Sequence, residues 1–171
     1  MKAMTVAVVL IVAGIFTVPT AWAQQHDDKE HAQLAKALRD AKISLQSGLT
    51  ASAKKGTPIS AKYEMEEGKL QLSVYTMKGD TFSEVIVDHK TGKVAKAEPI
   101  TQGDDLAHAK AQSEAMAKAK RSLDAAASEA EKENKGYRVV SVMPALKEGH
   151  PVADVTLVKG SDWKTVSEKL D

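Results

Sequence analysis

Five histidines and no cysteine bound the chemistry open to this chain. Thiolate nucleophiles, disulfides and thiolate metal sites are excluded outright. His26 and His31 stand five apart with Asp27, Asp28 and Glu30 between them, and imidazole beside carboxylate can hold a divalent cation weakly. Two ligands on one helix face want a spacing of about three or four, so the plainer expectation is a solvated terminal segment. His89, His108 and His150 are expected in a turn, a helix and a turn, exposed rather than ligating. A serine nucleophile needs a base within reach and a strained elbow to present it, and no serine here lies in Gly-x-Ser-x-Gly. There is no glycine-rich phosphate loop and no His-Glu-x-x-His helix. The pairs Glu66-Glu67 and Asp104-Asp105 fall at a turn and a helix start, where acids serve local ends. The patterns favour binding over catalysis, with no catalytic residue, no cofactor, and only His26 and His31 as weak metal candidates.

The N-terminus speaks to compartment. Lys2 is the only charge before Asp27, an apolar run spans Val6 to Val18, Pro19 interrupts it, and Ala21-Trp22-Ala23 offers a small-x-small cleavage motif. This predicts a signal peptide over residues 1–23, with Gln24 as the new N-terminus. The uncharged stretch Ala3–Ala23 just reaches the length of about 20 residues that a bilayer span needs, but Pro19, Thr17, Thr20 and the cleavage motif argue for removal. A lipoprotein needs a cysteine after the cut, so the expected product is free in the periplasm or secreted. Without Lys2 the charges balance at 23 basic and 23 acidic, which leaves no electrostatic footprint for nucleic acid or an anionic membrane.

The chain also repeats. Glu67-Gly68, Lys78-Gly79, Phe82 and Val85 recur 81 residues on as Glu148-Gly149, Lys159-Gly160, Trp163 and Val166. Upstream the offset becomes 80, with Lys55-Gly56 against Lys135-Gly136 and Ile43 against Leu123, which predicts one residue inserted in the first strand. Leu34, Leu38, Ala41, Leu45 and Leu49 form one helical stripe. A second, longer helix is expected from Asp104 to about Asn134, with Ala109, Met116, Ala119, Leu123, Ala126 and Ala130 as its seam. Alternation of apolar and polar residues then marks three strands in each half, beginning Ile59, Leu70 and Thr81, and Tyr137, Val152 and Trp163. Trp163, Val166 and Leu170 have helical spacing, yet the repeat favours a strand. The expected fold is α+β, two tandem units (24–99 and 100–171), each a helix packed on a small antiparallel sheet in the order α-β-β-β. Residues 98–103 are expected to link them.

Val85-Ile86-Val87-Asp88-His89-Lys90-Thr91-Gly92-Lys93-Val94 closes the first unit with a strand and an Asp-x-x-Thr-Gly turn. That segment resembles the signature of the PepSY family, over about residues 30–97, and the second half resembles it only through the repeat, as a degenerate copy. The resemblance implies a secreted or envelope protein that binds a protein partner or restrains a peptidase. It marks Asp88, Thr91 and Gly92 as the signature turn, for which the residues themselves supply a local reason: Asp88 can accept from backbone amides two or three positions on, and Gly92 can take a positive φ. An exposed strand edge or an open sheet face would hold the partner, with Tyr75, Met77, Phe82 and Trp163 as the contact surface, although simple core packing is the plainer expectation for these four. The alternative is an envelope accessory protein that binds a metal or small ligand.

Overall fold

A computed structural model describes the chain from Ala21 to Asp171, with side chains described from Lys29 onward. Nearly all of the expected leader therefore lies outside the described residues. Ala21 opens α1 (Ala21–Ala37), which runs through the expected cut at Ala23 into a 3-10 turn, Leu38–Asp40. Then come α2 (Leu45–Ser52), β1 (Thr57–Glu66), β2 (Lys69–Lys78), β3 (Thr81–Val87) and β4 (Val94–Ile100). The second half supplies α3 (Gly103–Lys118), α4 (Leu123–Glu133), β5 (Arg138–Lys147), β6 (His150–Lys159) and β7 (Asp162–Lys169).

Two tandem units with separate small sheets are not what forms. All seven strands make one antiparallel sheet in the order β4-β3-β2-β1-β5-β6-β7. The join is narrow, since β1 and β5 pair only through Ala61 with Val142 and Lys62 with Ser141. It satisfies backbone N–H and C=O groups that β1 and β5 would otherwise leave unpaired in the middle of the molecule. The expected linker is also structured, its residues Glu98–Ile100 ending β4, which pairs with β3 as far as Ile100 opposite Phe82.

The strands of the two halves correspond closely in local geometry. Starts at Thr57, Lys69 and Thr81 are followed 81 residues later by Arg138, His150 and Asp162. Glu67 and Glu148 both take positive φ, 49° and 51°, ahead of Gly68 and Gly149. A register irregularity falls between Pro58 and Ser60 in β1 and between Val139 and Ser141 in β5, so no insertion separates the two first strands. The changed offset arises in the helices. Ser44 and Ser122 cap α2 and α4 by accepting from the amides of Ser47 and Ala125, and α4 has 11 residues against 8 in α2. Leu45, rather than Ile43, is the counterpart of Leu123.

Each expected long helix is broken. In the first half the stripe is divided among α1, the 3-10 turn and α2, with Ala41 extended at ψ 128°. In the second, Ala119 is extended at ψ 142° and separates α3 from α4. The breaks split the seams between two cores. On one sheet face Leu45 and Leu49 of α2 and Leu123, Ala126, Ala127 and Ala130 of α4 pack on Ala61, Tyr63, Leu72, Val74, Val142 and Val155. On the opposite face α3 lays Ala109, Leu106 and Met116 over Ile59, Phe82 and Met77. A helix of the second half thus closes a core built from strands of the first. The segment Trp163–Lys169 lies within β7, a strand, and Leu170 beyond it is buried.

The loop after α1 is fastened at several points. The amides of Lys42 and Ile43 donate to the His89 carbonyl at 2.8 and 3.2 Å. The Arg138 guanidinium donates to the carbonyls of Leu38 and Ile43 at 2.8 and 2.6 Å and lies over the Tyr63 ring. In the second half the amides of Lys120 and Arg121 both donate to the Leu170 carbonyl.

Candidate functional site

Strand alternation turns every second residue of β1 to β4 away from the α2/α4 core. One cross-strand row on this outer face runs Glu98, Glu84, Tyr75, Ser60, and the next runs Lys96, Ile86, Ser73, Lys62, Ser141. α3 covers part of the face, packing on β1, β5 and β6. Its Gln112 accepts from Ser60 Oγ at 2.8 Å and its Asp105 accepts from the Tyr75 hydroxyl at 2.7 Å. Beyond α3 an open groove of about 470 Å³ remains, floored by β1 to β4.

Its walls are unbalanced in charge. Glu64, Glu66, Glu67, Glu84, Glu98 and Asp105 face it, against Lys62 and Lys96. Lys62 pairs with Glu64, and Lys96 with Glu98 at 2.7 Å. Ser73 donates to Glu84. Glu84 and Glu98 stand directly opposite one another on neighbouring strands, a like-charge pairing that opposes folding. Burial pushes the Tyr75 phenol well above its ordinary range, and the carboxylate of Asp105 that accepts its hydrogen bond, with Glu84 and Glu64 close by, pushes it further. Tyr75 therefore remains a neutral hydrogen-bond donor at ordinary pH. The groove offers acceptors and negative potential, which suits a cationic, hydrogen-bonding ligand.

The anticipated contact residues are brought together only in part: Tyr75 and Met77 pack with Phe82, and Trp163 lies apart. Tyr75 lines the acidic groove. Phe82 is only 8% exposed and packs with Met77 beneath α3, where Ser113 Oγ lies 2.8 Å from Met77 Sδ. The buried Phe82 is thus a core residue and not part of an open contact surface. Trp163 lies in β7, at the other end of the sheet order, its indole stacked on His31 with ring centroids 4.4 Å apart and planes 15° from parallel. His31 is thereby an aromatic neighbour of Trp163, and the His26 side chain lies outside the described residues. Among the described residues no group of three His, Asp or Glu side chains could hold a metal ion.

The signature turn is a local device. Asp88 Oδ1 accepts from the amides of Lys90 and Thr91 at 2.9 and 2.7 Å, and the Asp88 carbonyl accepts from Gly92 at 2.8 Å. The amides of Thr91 and Lys90 hold the Asp88 carboxyl below the usual carboxylate range. Gly92 takes φ +73°, and a Cβ there would lie 3.6 Å from Ile43. The turn sits against the loop that leaves α1, so its contribution is to seat that loop.

Sequence reasoning missed the acidic groove. Glu64 was recognisable as a wet-face residue of β1, but Glu98 and Asp105 enter only because β4 pairs with β3 and α3 folds back over Tyr75.

No family model matches this chain, and no curated protein matches it. A candidate lipoprotein from Clostridium difficile 630, known from a crystal structure, is similar at a TM-score of 0.41 and 14% identity, over 93% of this chain and 90% of that one. A likeness that distant carries no argument about function. Among the described residues no helix is long and apolar enough to cross a membrane.

Proposed function

We propose that this chain is a non-catalytic binding protein of the bacterial envelope or its surroundings, exported by its N-terminal leader and free of a lipid anchor. In this reading it is a PepSY-like protein that captures a protein partner, a peptidase being the class that the resemblance implies. The observation that carries the reading is the uncovered face of β1 to β4, where six carboxylates surround Tyr75 against two lysines. A solvated sheet face needs no such excess of one sign, and the facing pair Glu84 and Glu98 weakens the fold that contains it. The partner that fits is an extended segment rich in lysine or arginine.

The face serves better than an edge. β4 is the edge strand next to the groove, and Pro99 stands within it. Proline has no amide to donate, and in edge strands it sits with the missing donor turned to solvent, so an added strand would lose a hydrogen bond there. Contacts through carboxylates on the face avoid that loss.

Calorimetric titration with hexalysine tests the reading, beside inhibition assays on secreted peptidases that carry basic surface segments. Saturable binding that weakens steeply with salt and falls at least tenfold in a Glu84→Gln/Glu98→Gln chain is the expected result. Equal binding by the double variant, or none to hexalysine, would overturn the assignment of the face.

A further inference from the structure

We infer that the groove between α1 and the β6–β7 turn is a second binding site, of opposite sign, that takes an acidic peptide segment. Its volume is about 600 Å³. Lys36 from the last turn of α1 and Arg39 from the 3-10 turn form one wall, Gly160 and Ser161 form the other, and Trp163 contributes an indole. Among the described residues no carboxylate lines it. Of the acids next in sequence to its lining residues, Asp162 accepts from the Tyr137 hydroxyl, while Glu30 and Asp40 are exposed and outside the lining. Lys36 and Arg39 are exposed, and neither makes an ion pair or a hydrogen bond with another described side chain. His31 stacks on Trp163, which holds the indole in one orientation at the groove while leaving it half-buried.

The openness of the groove decides the size of the occupant. A small anion touching two solvated cations gains little, because exposed charge pairs are screened and the anion keeps most of its water. A peptide that spans Lys36 and Arg39 and lays a side chain on Trp163 adds apolar burial against a prepared aromatic surface. The peptide class follows from that sum. This site is independent of the acidic face, since the two attract ligands of opposite charge.

The test is titration of the full chain with hexaglutamate, followed by indole emission, with a Trp163→Phe chain as the blank for Trp22. A saturable change absent from the blank is expected. Its apparent Kd should rise at least tenfold in a Lys36→Gln/Arg39→Gln chain whose circular dichroism matches the parent. The inference is overturned if no saturable change occurs, if the double variant responds equally, if hexalysine gives the same change, or if inorganic phosphate alone gives it at similar concentration. The last result would reassign the groove to small anions.

Discussion

Asp88 and Arg138 show how much two side chains contribute by reaching backbone. Asp88 is fully exposed, yet the amides of Thr91 and Lys90 lower its pKa. A carboxyl held below its unfolded value stabilises the fold above the ordinary carboxylate range and loses that contribution as pH falls through the lowered value. Asn at this position keeps an acceptor but has no charge to titrate. The thermal midpoint of an Asp88→Asn chain should therefore lie below the parent near neutral pH, with the gap narrowing as the medium is taken below the ordinary carboxylate range of about 4. A gap that stays constant across that window would refute the charge argument. Arg138 is a larger effect of the same kind, its fork reaching the carbonyls of Leu38, Ala41 and Ile43. Lysine keeps the charge and cannot serve three carbonyls from one plane. Arg138→Lys should lower the unfolding free energy by about 2 kcal/mol, as charge-assisted hydrogen bonds of this sort contribute, read from urea denaturation. An unchanged midpoint would mean that water replaces the fork without loss.

At the level of the element, close approach explains the small residues. A Cβ on Gly48 of α2 would lie 2.4 Å from Leu72 Cδ2, and Leu72 is fully buried. Gly48→Ala gains helix propensity of at most about 1 kcal/mol but overpacks a filled site at about 1–3 kcal/mol. The net expectation is destabilisation by about 0–2 kcal/mol, and a variant more stable than the parent would show that Leu72 has room to move. In α4 the buried Ala126, Ala127 and Ala130 bring the helix near the sheet in the same way. Its start depends on Ser122, whose side chain accepts from Ala125 N at 3.1 Å. Ser122→Ala should cost about 1 kcal/mol in the same denaturation experiment, and the absence of any loss would show that solvent caps the helix equally well.

For the whole molecule the question is whether either half can stand alone. β1 and β5 share two residue pairs, a thin seam by itself. Packing across it is more extensive, because α3 covers Ile59, Phe82 and Met77 from the first half, while Arg138 of the second half holds the loop between α1 and α2. A fragment of residues 24–99 would expose that apolar surface, so it should give an undispersed amide spectrum or self-associate, and the full chain should unfold in one transition. A monomeric fragment with dispersed resonances would contradict this account of the seam. The acidic groove depends on the same arrangement, since α3 forms one of its walls through Asp105.

What the residues determined on their own is the local part: alternating strands, glycine turns at Gly68, Gly79, Gly149 and Gly160, and the Asp88 turn. Each rests on neighbours within a few positions, so pattern and propensity suffice to find it. Tertiary structure alone decided that one sheet spans both halves, that Val94–Ile100 is a strand, that the long helical stripes break at Ala41 and Ala119, and that Phe82 is buried while Glu84 and Glu98 face a groove. Those outcomes depend on which apolar surface finds which partner across the fold, and a helical stripe does not declare which sheet face it will cover. The physical reason is range: hydrogen bonds and caps act between neighbours, whereas burial is settled only when distant segments compete for the same surface.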